Sequence, residues 1–181
     1  MSVRILLTLF LSQALLADLV AKVIFVDQDA NGADTGSSWA DAYVDLQDAL
    51  AGAGPGAEIW VSEGFYVPGR GVADSFVLAN GISLYGGFQG GEHARVQARP
   101  DLNLTILSGD IGRDDHYAET AGITKTPDDQ DGSNATNVLL AENSPPLNTN
   151  TIVLNGFIVS GGNGVGDVSV NGGGLRAEYV T

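Results

Sequence analysis

Asp27-x-Asp29-x-Asn31-Gly32 sets oxygen-bearing side chains at alternating positions ahead of a glycine. A calcium loop of the helix–loop–helix type opens this way, because a hard cation gathers several oxygens and the chain must turn sharply around it. The pattern then departs from that loop. Its twelfth position is Ser38 rather than Glu, and no helix leads into it. A less conventional Ca2+ site completed by Asp34 is the functional expectation; a solvated Asx-rich turn is its rival.

Two further acidic stretches offer related chemistry. Asp128-Asp129-x-Asp131-Gly132-x-Asn134 is a second candidate Ca2+ loop, with an acidic surface loop as the alternative. Asp110, Asp114 and Asp115 lie beside Arg113, the nearest approach to the carboxylate cluster plus cationic base of a polysaccharide lyase. Three acids next to one arginine describe a solvated turn equally well, and no catalytic residue is assigned. His93 and His116 lack a second histidine at ligand spacing and any nucleophile motif. The clusters Gly86-Gly87, Gly90-Gly91 and Gly172-Gly173-Gly174 match no phosphate-binding pattern and read as tight turns.

Composition narrows the function classes. The 181 residues include 22 Asp and Glu against 8 Lys and Arg, a formal net charge of −14. Such a chain repels nucleic acid and anionic membranes, which require clustered cations, so no nucleic-acid partner is expected. The absence of cysteine excludes disulfides and thiolate metal sites.

Residues 1–21 carry the order of a secretory signal: Arg4, an apolar run from Ile5 to Leu11 continued by Ala14 to Ala17, then small residues. The run is shorter than the ~20 residues of a membrane span and is interrupted by Gln13 and Asp18. The expectation is an exported chain with no membrane span once the signal is removed.

These residues need elements to position them. Lys22 to Asp27 reads as a strand. Ser38 to Ala51 reads as an amphipathic helix, with Ser38 as N-cap, Asp41 in its first turn and Trp39, Ala42, Tyr43, Leu46, Ala49 and Leu50 on one face. Short apolar triplets then recur between Gly and Asn residues: at 59–61, 65–67, 76–78, 82–85, 105–107, 138–140, 152–154 and 157–159. Ile59 and Ile82 are 23 residues apart, Ile82 and Ile106 are 24, and the texts ISLYGGF, TILSGDI and FIVSGGN resemble one another. A period of this size marks a solenoid. The longer interval from Ile106 to Val138 is read as an acidic insertion at about 113–137.

The segments IFVDQDANGADTGSSWADAYVDLQDAL, EIWVSEGFYVP, SFVLANGISLYGGFQGGE, TILSGDIG and NGFIVSGGN followed by NGGGL resemble the N-terminal region of bacterial secreted proteins with a right-handed parallel β-helix, the broad pectin-lyase-like class. The resemblance implies an all-β right-handed parallel β-helix with an N-terminal capping α-helix, cut short at its C-terminus. It divides the chain into a signal (1–21), a strand and capping helix (22–57) and solenoid coils (58–181). It implies a secreted or cell-surface location and a structural or adhesive role, with extracellular polysaccharide or cell-surface components as partners. Two alternatives stand beside this role. One is the first coils of a polysaccharide lyase or hydrolase whose active site lies further on; the other is a calcium-stabilised carbohydrate-binding module. Trp60, Tyr66 and Tyr85 are the aromatic candidates for sugar contact, with core packing as the competing role.

Overall fold

The computed structural model describes residues 22–116, 123, 127–143, 152–164 and 173–179. The signal-like residues 1–21 lie outside them.

The described residues form ten short strands and one short helix. The strands are β1 (Val23–Val26), β2 (Glu58–Ser62), β3 (Gly64–Tyr66), β4 (Phe76–Leu78), β5 (Ser83–Phe88), β6 (Thr105–Ser108), β7 (Leu139–Asn143), β8 (Val153–Asn155), β9 (Phe157–Ser160) and β10 (Leu175–Tyr179). They group into three parallel sheets with orders β1-β2-β5-β8, β3-β6-β9 and β10-β7-β4.

This corrects the expected architecture. No closed solenoid or β-helix is present among the described residues. The strands stand in separate small sheets beside a helix, an α/β-like mixture rather than an all-β coil. The repeat that suggested a solenoid joins residues with different roles. Ile59 lies in β2 and pairs with Leu84, not with Ile82, which precedes β5. Ile106 belongs to another sheet, where it pairs with Phe65 and Ile158. Equal spacing of apolar residues is a count along the chain, whereas pairing depends on which face each strand turns inward.

The helix is also shorter than its apolar pattern. α1 spans Leu46–Gly52, with Asp45 as N-cap accepting a hydrogen bond from the Gln47 amide. Ser38 caps a turn instead: its hydroxyl accepts from the Asp41 amide at 3.1 Å and donates to the Asp41 carboxylate at 3.2 Å. Tyr43 makes a parallel bridge to Val26, so the chain is extended where a longer helix would have run. Pairing beside β1 outcompetes two turns of marginal helix.

Leu46, Ala49 and Leu50 of α1 join Ile24, Val26, Ile59, Val61, Phe76, Leu78, Leu84, Leu107 and Leu139 in one buried cluster. The burial pattern of β1 alternates, as period-two strands facing a core require. The β2–β5 register shifts between Trp60 and Ser62, so that Ser62 pairs with Phe88. Gly86 and Gly87 allow this irregularity. Gly87 has φ +93, and a Cβ there would approach the Pro100 nitrogen to 2.7 Å.

Candidate metal centre

β6 delivers the chain to Asp110, which forms an antiparallel bridge with Asn134. Beyond it the backbone curls back on its own carboxylate. Asp110 Oδ1 accepts from the Asp114 amide at 3.1 Å, and Oδ2 from the Asp115 amide at 3.3 Å. Ser108 Oγ accepts from the Asp110 amide at 3.1 Å. A short polar side chain able to cap its own turn makes this curl.

The curl gathers three acids. One carboxylate oxygen from each of Asp110, Asp114 and Asp115 lies within 4.8 Å of the others, and the three could hold a metal ion. Asp110 and Asp115 are buried, at 0% and 6% exposure, whereas Asp114 faces solvent. Buried carboxylates require compensation, and part of it comes from Asn134, itself buried. Its amide nitrogen donates to both Asp115 oxygens, at 3.1 and 2.9 Å, and to the Gly161 carbonyl at 2.8 Å. The Asp131 amide donates to Asp115 Oδ1 at 2.9 Å. Gly132, at φ +62, lies so close to Asp114 that a Cβ would fall on its carboxylate.

The neighbouring cation is turned away. Arg113, at φ +56, places its guanidinium 4.8 Å from the Phe65 ring centre and donates to the Phe65 carbonyl at 3.5 Å. The acids and arginine considered for lyase chemistry are therefore split, with the acids on one side of the turn and the base on an aromatic ring.

The sequence candidates are distributed as follows. Asp27 Oδ1 accepts from the Asp29 amide at 3.1 Å and from the Ser62 hydroxyl at 3.0 Å. Ser62 in turn bonds the Tyr66 hydroxyl at 3.1 Å. Burial pushes Tyr66 up to about 12, with the Asp27 and Asp29 charges adding to the rise and the Ser62 hydrogen bond opposing it. Asp34 Oδ1 accepts from the Val44 amide at 3.0 Å, and Asp29 and Asn31 are exposed. Asp27 and Asp34 thus act as separate acceptors, and Asp29 contributes its backbone amide. Among the described residues they do not gather as the Asp110 group does.

In the second stretch, Asp128 is exposed in the turn Pro127–Asp129, and the Asp129 carbonyl accepts from the His116 amide at 2.7 Å. The Asp131 carboxylate pairs with His116 Nδ1 at 2.9 Å, both side chains being more than half exposed. This stretch packs against the Asp110 group rather than forming a loop of its own. The participant that sequence reasoning passed over is Asn134. It appeared only as the last position of a loop, although the two Asx-rich texts DIGRDD and DQDGSN were both visible.

No family model, curated protein or solved structure matches the chain. No helix among the described residues is long and apolar enough to cross a membrane.

Proposed function

We propose that this chain is a non-catalytic, extracytoplasmic module with a structural or adhesive role, stabilised by Ca2+ at Asp110, Asp114 and Asp115. The observation that carries the reading is the convergence of three carboxylates, two of them buried, on a turn whose arginine is engaged elsewhere. Ca2+ accepts a flexible shell of oxygens from carboxylates, carbonyls and water; Mg2+ prefers a near-ideal octahedron with one or two carboxylates and several waters. Three carboxylates on one turn suit the former. The signal-like order of residues 1–21 and the surplus of acid support export. Extracellular polysaccharide or another cell-surface component is the proposed partner.

In this reading the cation acts as a clamp. The cluster is already bonded to two other segments, through Asp131 and Asn134 on one side and Gly161 on the other. A divalent ion adds attraction where the apolar contribution is small, and it ties the Asp110 turn more firmly to the segments bonded to it.

Thermal unfolding of the full-length chain, followed by circular dichroism in Ca2+ and in EGTA, tests this. Ligand at a hundredfold excess over its dissociation constant stabilises by about 2.7 kcal/mol. For a domain of this size that raises the melting temperature by about 5–10 °C. The rise should vanish in Asp110→Asn and Asp115→Asn. A melting temperature indifferent to Ca2+ overturns the cation assignment.

A further inference from the structure

The four-stranded sheet has a second face. Ile24, Val26, Ile59, Val61 and Leu84 turn into the core, so the alternate residues turn outward. In register across β1, β2, β5 and β8 these are Phe25, Trp60, Tyr85 and Asn155. Trp39 and Phe88 extend this row. Ring centres lie 4.8 Å apart for Phe25–Trp39, 5.7 Å for Phe25–Trp60, 5.5 Å for Trp39–Phe88 and 4.9 Å for Trp60–Phe88, the last pair stacked. These rings stand apart from the cluster on the other face of the sheet; Phe88 and Trp60 are buried among them, at 0% and 6% exposure, and Phe25 and Trp39 are the half-buried pair at the surface.

A cavity of about 640 Å3 opens beside Phe25, Trp39 and Trp60. Ser37, Ser38 and His93 bring hydroxyl and imidazole groups to it. The Trp39 indole N–H is bonded to the Glu92 carbonyl at 2.8 Å, which fixes the ring plane before any ligand arrives.

Charge selects the ligand. No lysine or arginine lines this cavity, so an anion finds no counter-charge. Its one carboxylate, Glu92, accepts from the backbone amides of Gln89, Gly90 and Gly91 at 2.8, 3.1 and 3.0 Å, and so has no need of a ligand cation. What remains is a neutral molecule with an apolar ring face and a hydroxyl-bearing edge.

We propose that this cavity binds a neutral pyranose unit of an oligosaccharide. Tyr85, two strand spacings from Phe25 at ~10 Å, lies outside the proposed contact, because the Arg95 guanidinium sits 4.7 Å over its ring and donates to its hydroxyl at 2.9 Å. The proposal rests on the reading of the chain as an exported adhesive module and names the partner's chemistry.

The chain contains two tryptophans, Trp39 and Trp60, and both line this cavity. Intrinsic fluorescence of the full-length chain therefore reports on the site directly. Cellohexaose, maltohexaose and mannohexaose are the neutral probes, and hexagalacturonate is the anionic one. The expected result is a saturable fluorescence change with at least one neutral probe and none with hexagalacturonate. By calorimetry, Trp39→Ala should weaken that binding at least tenfold. The exposed-rim variants Ser37→Ala and His93→Ala, which leave the rings in place, should weaken it about threefold or more. The proposal is overturned if no neutral probe binds, if only the anionic one does, or if the rim variants bind as tightly as the parent. Every titration is run in Ca2+ and in EGTA. Sugar binding that persists without a calcium-dependent melting shift removes the cation assignment and leaves this site standing; the reverse outcome removes this site alone.

Discussion

Replacing Asn134 with aspartate separates a cation site from a purely structural network. Asn134 is 6% exposed, and its amide makes three contacts: to the two Asp115 oxygens at 3.1 and 2.9 Å and to the Gly161 carbonyl at 2.8 Å. Asn134→Asp keeps the shape and exchanges the donor for a carboxylate oxygen. Without a cation it loses hydrogen bonding to a charged group, about 1.5–3 kcal/mol, and takes from the Gly161 carbonyl a donor that costs about 1–3 kcal/mol to lose. Like-charge repulsion with Asp115 adds to this. A deficit of about 3–5 kcal/mol lowers the melting temperature by about 6–20 °C at the 2–4 °C per kcal/mol of a domain this size. With Ca2+ present, the new carboxylate becomes a fourth anionic ligand, and at least half of the deficit should be recovered. Asn134→Ala is the comparison, since it loses the same bonds without adding a ligand, and Ca2+ should leave its deficit unchanged. Melting curves of the three chains in Ca2+ and in EGTA decide the matter. An equal Asn134→Asp deficit in both buffers would refute the reasoning.

Gly132→Ala forces a side chain into the left-handed backbone region and onto the Asp114 carboxylate; it should cost about 1–2 kcal/mol in EGTA and weaken Ca2+ binding severalfold, read by calorimetry. Tyr66, raised to about 12 in the folded chain against about 10 unfolded, favours folding fully below pH 10 and loses that contribution as pH rises to 12. The loss is about 3 kcal/mol at most, and denaturant titrations between those pH values should show it in the parent and not in Tyr66→Phe. Leu84, fully buried between β2 and β8, should cost about 2–5 kcal/mol on replacement by alanine, measured as a fall in denaturation midpoint with unchanged slope.

The positions of the strands were legible, because Gly and Asn bracket short runs of β-branched and aromatic residues. Their grouping was not. Ile59, Ile82 and Ile106 read as one recurring place, yet they occupy a strand of one sheet, the approach to another strand, and a strand of a second sheet. The helix face was half right for a similar reason. Leu46, Ala49 and Leu50 are buried on α1, while Trp39 and Tyr43 fit the same period and were drawn into the aromatic row and the β1 bridge. At Asp27 the residue types were legible, whereas the Ser62 hydroxyl that donates to its carboxylate comes from 35 residues away, and no local pattern announces it.

The Asp110 group was legible as residues and illegible as a centre, and the cause is physical. Among the described residues between Ser108 and Val138, Ala135 is the one buried apolar side chain. Hydrophobic periodicity, the signal that marks elements in a sequence, is therefore absent where the site is built. What holds this region is a polar network: Ser108 on the Asp110 amide, Asp110 on two amides of its own turn, and Asp115 on Asn134 and the Asp131 amide. Such a network stabilises when complete and is costly when one member is lost, because the remaining carboxylates stay buried in a weakly screening medium. A divalent cation suits this arrangement better than a further hydrogen-bond donor would, since it answers two buried charges and one exposed charge at once.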